Sequence, residues 1–516
     1  MDGEWPGVSS ASLAILDAEG RAQAMRTRVL IGGAVLIGAF SLVGATGALD
    51  DADGRLERDP AARVAAGEVA QPEAQGLLTR LTHAVTEDSP EPQKLRLTVP
   101  EGAGLAIDPT PYAPAEPPPG ALRAHAYQYV SRVFDRPRSG ANAVGFVRRG
   151  IVLTASERVP GRGCKGGAWY ELVGGGYVCS RDGFAISENV RDVDVRQPAP
   201  KVERALPYGY GKAEEGALRY YRIPTAEEEA EIARAVEAEQ RLPDVVERKM
   251  DGVFLLGLDR LEGEGERAFY RTVRGRYVRA SDVEPKPEPA MRGELLGEQR
   301  QLPLAFVHGQ QGAPLYRMQG GQRVQVGVAE HHARFAIVEE TTWGGERMLV
   351  GEGGVGVPEK DVRIVTQRTR PQDVGPNEKW IHVNLAQQAL VAYEGDDPVF
   401  ATLVSSGLEP DFATPTGLFR VREKHISTTM NGPDPDNGYY EVEEVPWTMF
   451  YYDSFALHGA YWHDTFGNTK SHGCTNISPA DARWLFYWSD DPVPPGWTAV
   501  RKIEGTWVYI TRDDSA

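Results

Sequence analysis

Near the C-terminus one short stretch, Leu457-His-Gly-Ala-Tyr-Trp-His-Asp-Thr-Phe-Gly-Asn-Thr-Lys-Ser-His-Gly-Cys-Thr-Asn-Ile477, holds His458, His463, His472 and Cys474. A thiol near neutral pH is mostly protonated, so a nucleophilic cysteine needs an adjacent imidazole or a positive field to hold it as thiolate. Any of the three histidines can serve. Gly473 directly precedes the cysteine and lets backbone amides approach a developing oxyanion, where such donors supply several kcal/mol of transition-state stabilisation. Residue types and order thus bring a nucleophile, a base and an oxyanion site into one segment.

Two other uses of these residues compete with nucleophilic chemistry. Imidazole and thiolate are ordinary zinc ligands, but His472 and Cys474 stand two apart, and no Cys-x-x-Cys or His-x-x-x-His pair completes a tetrahedral set. No metal is therefore expected at this segment. An inert core cysteine sits among apolar neighbours, whereas Ser471, His472, Gly473 and Asn476 surround this one.

In this combination the segment resembles the YkuD-type L,D-transpeptidases, whose signature is His-Gly, a gap, then Ser-His-Gly-Cys, a residue and Asn. His458-Gly459 matches the first half, Ser471-His472-Gly473-Cys474 with Asn476 the second, and Thr414-Pro-Thr-Gly-Leu-Phe-Arg-Val421 looks like the family's Thr-Pro-x-Gly-x-Phe strand. Thr475 departs from the pattern, which usually has an aliphatic residue there. The resemblance implies Cys474 as nucleophile, His458 as base, the Gly459 carbonyl as the group orienting that imidazole, and His472 with Gly473 on the oxyanion side. It implies scaffold roles for Ser471 and Asn476. His463, within Tyr461-Trp462-His463, either lines the substrate cleft or is a hydrogen-bonded structural histidine. The implied substrate is a peptidoglycan stem tetrapeptide, cut between its third residue and the terminal D-Ala through a thioester. No cofactor enters that chemistry. A second stem as acceptor gives a 3-3 cross-link, a protein amine in the envelope gives anchoring, and water gives an L,D-carboxypeptidase. The rival from another class is a non-catalytic peptidoglycan-binding protein, which the intact nucleophile and base argue against.

The elements that position these residues are mainly β, and the resemblance spans a C-terminal domain at 376–512. Its opening, Trp380 to Tyr393, alternates, turns at Ala386 to Gln388 and alternates again, as a β-hairpin does. Further strands are expected at Val399 to Ser405, Gly417 to Lys424 and Trp447 to Tyr452. Helix is expected at Pro479 to Trp488, with Ser478 as N-cap before a proline at the first position. The polar, Pro- and Gly-punctuated stretch from Thr366 to Glu378 reads as a linker, so this domain is expected to fold by itself.

Upstream, three stretches share a rhythm of strand, Gly turn, strand: Trp169 to Val178, Phe269 to Val278 and Arg347 to Val357. They resemble bacterial SH3-like modules, expected at 121–200, 201–295 and 296–366. The second carries a helical insertion from Pro224 to Glu239, opened by Thr225 and Glu228 in capping-box spacing. Residues 49–120, rich in Pro, Ala and acidic residues, read as an extended tether.

Met25-Arg-Thr-Arg28 precedes an apolar run, and residues 1–48 read as a secretory signal or, through 29–45, an N-terminal membrane anchor. Met25 is an alternative start. Both readings place the chain outside the cytoplasm, in the periplasm or envelope. Cys164 and Cys179 lie close together and are expected to form a disulfide worth about 3 kcal/mol, which persists in an oxidising compartment. The net charge of −17 gives no basic footprint for nucleic acid.

Overall fold

The computed structural model describes residues 95–97, 118–189, 197–298, 300–434 and 436–512. The expected signal or anchor at 1–48 and nearly all of the tether lie outside the described residues. Among the described residues no helix is long and apolar enough to cross a membrane. The fold is mostly β, as the alternation and Gly turns predict.

The C-terminal domain is one continuous run of paired strands, bent back on itself. In spatial order these are Gly417–Arg420, Trp507–Thr511, Lys379–Asn384, Ala389–Glu394, Asp397–Ser405, Thr475–Ile477, Phe455–Gly459, Gly438–Tyr452, Glu423–Asp434 and Ala499–Arg501. The opening hairpin pairs Trp380 with Tyr393, in the register that the alternation requires. The helix Pro479–Trp488 begins as the sequence dictates: Ser478 caps it by accepting from the Asp481 N–H at 3.3 Å, and proline opens the first turn. Its Leu485 and Phe486 pack with Trp447, Met449, Leu457 and Ile477 in the core.

The three upstream stretches that share this rhythm each form a hairpin. Strands Trp169–Leu172 and Tyr177–Cys179, Phe269–Thr272 and Tyr277–Arg279, and Glu346–Gly351 and Val355–Pro358 each turn through a glycine at positive φ: Gly175, Gly275 and Gly354. Helix Ala226–Glu237 carries the full capping box, with Thr225 and Glu228 exchanging hydrogen bonds. Cys164 and Cys179 are joined by a disulfide with Cα atoms 5.7 Å apart.

The linker expected at Thr366 to Glu378 packs against the C-terminal domain. Val374 is buried, the Arg368 N–H donates to the Tyr393 hydroxyl at 2.8 Å, and Arg370 pairs with Asp396 at 2.9 Å. Upstream segments also add strands to edges of the C-terminal sheet. Ala143–Arg148 pairs with Ala499–Arg501, Val253 to Leu255 runs parallel to Tyr440 to Val442, and Glu294–Leu295 pairs with Phe400 and Ala401. Strand edges left open invite pairing, and here the chain's own segments cover them.

Candidate active site

Phe455–Gly459 and Thr475–Ile477 are parallel neighbours, with His458 opposite Asn476 and Leu457 opposite Thr475. Side chains alternate with a period of two, so positions 456 and 458 share one face of the sheet with 474 and 476. The strand pairing therefore brings His458 and Cys474 to the same side, although a long loop separates them in sequence. His458 is buried, and its Nδ1 lies 3.2 Å from the Gly459 carbonyl oxygen. A carbonyl only accepts, so Nδ1 carries the hydrogen and Nε2 keeps the lone pair.

Burial dominates the ionisation of both groups. It pushes the Cys474 thiol up to about 11, against a smaller opposing effect of the Ala456 backbone N–H. It drives His458 down to about 4. Both groups are thus neutral at rest, which differs from the thiolate expected from sequence because desolvation opposes charge on each of them. The thiol donates to the Ser454 carbonyl at 3.6 Å.

The turn carrying Cys474 is fixed from both sides. The Ser471 hydroxyl accepts from the Gly473 N–H at 3.1 Å and donates to the Cys474 carbonyl. Thr414 donates to the Gly473 carbonyl at 2.7 Å while accepting from the Gly407 N–H at 2.9 Å. Gly473 has φ +117°, and a Cβ there would stand 2.7 Å from the Phe455 ring, so both conformation and space demand glycine. In this arrangement the Gly473 N–H faces Ser471.

His472 is half-exposed and points elsewhere. Its Nε2 lies 3.2 Å from Asp434, Tyr440 stacks on it at 4.9 Å and Phe412 meets it edge-on at 4.5 Å. Burial lowers its pKa, and Asp434 partly offsets this. His463 is the partner of Asn476, with Nδ2 to Nε2 at 3.0 Å, and it also meets Thr465. Burial takes His463 down to about 3. Tyr461 is buried against Tyr210 of the second upstream unit, with ring centroids 4.0 Å apart, and Trp462 faces His458 at 5.7 Å. The Thr475 hydroxyl is buried near Tyr451 and lies outside hydrogen-bond geometry.

Compared with known proteins, residues 378–510 match the L,D-transpeptidase catalytic domain family YkuD, a span containing every one of the signature residues above. This segment is a YkuD catalytic domain. The putative L,D-transpeptidase YciB of Bacillus subtilis (strain 168) is 27% identical over 132 residues, which are 22% of this chain and 62% of YciB. Among solved structures, a crystal structure of an Enterococcus faecium L,D-transpeptidase mutant is 23% identical, covering 29% of this chain and 55% of that one, with a TM-score of 0.22. The catalytic domain of the E. faecium L,D-transpeptidase, solved by NMR, is 26% identical over 26% of this chain and 98% of that one, with a TM-score of 0.22. The chain thus spans less than two thirds of YciB and of that crystallised enzyme.

Around the YkuD domain's signature, sequence reasoning passed over Asp434, Tyr440, Phe412 and the clasping role of Thr414. Asp436-Asn437-Gly438 is a hairpin-turn signal that could have placed Asp434 at a strand end, but pairing it with His472 needs the tertiary fold.

Proposed function

We propose that this chain is an exported cysteine L,D-transpeptidase that remodels peptidoglycan stem peptides. The observation that carries this reading is the parallel pairing that sets His458 and Cys474 on one face, with the imidazole fixed by Gly459 so that Nε2 is its proton acceptor. Cys474 Sγ attacks the carbonyl of the L-centre to D-Ala bond as its proton passes to His458 Nε2. The tetrahedral oxyanion collapses, the D-Ala nitrogen takes that proton and leaves, and a thioester remains. An acceptor amine then attacks, giving its proton to His458, and the departing sulfur recovers it.

Because both partners rest neutral, proton transfer accompanies attack instead of preceding it. His472, held by Asp434 and two aromatic rings, borders the oxyanion side, while Ser471 and Asn476 hold the turn and His463. The bonded cysteine pair and the basic, then apolar, N-terminal sequence support export. The acceptor is a second stem or an envelope protein amine.

Incubating the full chain with a stem tetrapeptide should release D-Ala and leave an acyl adduct on Cys474, seen by intact-mass spectrometry. A carbapenem should acylate the same residue. The mass of the released muropeptide identifies the acceptor, water included. Folded protein that neither releases D-Ala nor accepts an acyl group would sink the reading.

A further inference from the structure

The loop between His458 and Cys474 is held from outside the catalytic domain by a cluster that the chemistry above does not use. His331 and His332, in the third upstream unit, face Asp464, the neighbour of His463. One ligand atom from each of the three residues lies within 4.8 Å of the others. The two imidazole rings lie with centroids 3.5 Å apart, tilted by 34°.

Two features of the cluster are unresolved by protein groups alone. His332 is completely buried, yet neither ring nitrogen makes a hydrogen bond: Asp464 Oδ1 is 3.7 Å away, and the Phe466 backbone bears on the ring without reaching hydrogen-bond geometry. Buried imidazole nitrogens without partners are costly. His332 also adopts φ +63°, a left-handed conformation that non-glycine residues hold only when their surroundings impose it. His331 presents the complementary problem. Its Nδ1 is 2.9 Å from the Gly309 carbonyl oxygen and its Nε2 is 2.8 Å from the Asp464 carbonyl oxygen. A neutral imidazole has one N–H, so one of these pairs sets a lone pair against an oxygen.

A cation at the Asp464 end gives His332 Nδ1 a partner and settles the His331 tautomer, with its N–H on the Gly309 carbonyl. From these observations we infer that His331, His332 and Asp464 form a binding site for one divalent transition-metal ion. The Nδ1 of His332, the Nε2 of His331 and the Asp464 carboxylate are its donors. Two imidazoles and a carboxylate are a zinc-type donor set, binding at about 2.0–2.2 Å. The carboxylate is already oriented, since it accepts from the Ala290 N–H at 3.0 Å and the Met291 N–H at 3.4 Å, as outer partners orient metal ligands. Such an ion touches no reacting atom. It staples the loop bearing His463 to the third upstream unit, next to the Arg363 bond to the Gly467 carbonyl at 2.7 Å.

The test uses the metal-free full chain, equilibrium dialysis against zinc, elemental analysis and thermal melting. One equivalent of zinc should bind and raise the melting temperature in a concentration-dependent way. His332→Gln and Asp464→Asn, both close in shape to the native residues, should each lose that equivalent and the thermal response. Cys474→Ser should keep both, which separates this site from the thiol and its histidines and makes the result independent of activity. Absence of bound zinc in the native chain, or zinc that both variants retain, overturns the site.

Discussion

The thiol and imidazole at the centre of this site are constrained more by desolvation than by each other. Cys474→Ser and His458→Ala should each reduce stem-peptide turnover by orders of magnitude, and the double variant should cost little more than either, because members of one catalytic unit are strongly non-additive. Steady-state D-Ala release measures this, and full activity in His458→Ala would move the base elsewhere. The pH profile follows from the same burial. His458 must be neutral to accept the proton, and its pKa is lowered to about 4, so activity should be lost only as pH falls through that region. With Cys474 raised to about 11, the alkaline limb should lie equally far out, leaving a broad plateau. A narrow bell with limbs near the ordinary imidazole and thiol values would show instead that burial does not govern the two groups. At this scale the sequence was most legible, because Cys474, His458, Gly459 and Ser471 lie within one stretch and the two strands that join them are short. What stayed hidden was Asp434 on His472, and the neutral state of the dyad, since neither partnership nor burial is written locally.

Elements with local signatures were readable in proportion to those signatures. The capping box at Thr225, the Ser478 and Pro479 start, and the glycine turns at Gly175, Gly275 and Gly354 are decided within a few residues, and each stands where the sequence sets it. The long hairpin of Glu423–Asp434 and Gly438–Tyr452 was only partly legible. Its middle holds Glu441, Glu443 and Glu444, of which Glu443 and Glu444 are fully buried against upstream arginines. Turn geometry also carries a prediction. Gly473→Ala places a methyl group 2.7 Å from the Phe455 ring at φ +117°, a conformation costing about 1–3 kcal/mol for a residue with a side chain. We expect a stability loss of about that size in denaturant melts, together with a much larger loss of acylation as the Ser471 clasp shifts Cys474. Wild-type acylation in Gly473→Ala would show that the turn tolerates movement that the geometry forbids.

Across the whole molecule, the boundary drawn at the polar linker marks a change in composition more than a change in packing. Arg148 of the first unit reaches Glu444 at 3.0 Å, Arg219 of the second reaches Glu443 at 3.1 Å, and all four side chains are nearly or fully buried. The Tyr210 hydroxyl donates to the Glu444 carbonyl at 2.8 Å, and the core around Trp380 includes Met291, Leu304 and Phe306 from before the linker. A sequence shows where composition shifts, but it does not show that glutamates in one segment answer arginines far upstream. Removing one partner of a buried ion pair costs about 3–5 kcal/mol, and domains of ordinary size have only about 5–15 kcal/mol to lose. Residues 376–512 produced alone would leave Glu443 and Glu444 without their guanidinium partners, three strand edges uncovered and apolar surface exposed. That fragment should therefore melt without a cooperative transition or aggregate, whereas 118–512 should melt cooperatively and be acylated by a carbapenem. Circular dichroism melts of the two proteins decide this. A fragment that melts cooperatively near the temperature of the longer chain, and acylates at its rate, would show that the upstream units lie on the catalytic domain without supporting it.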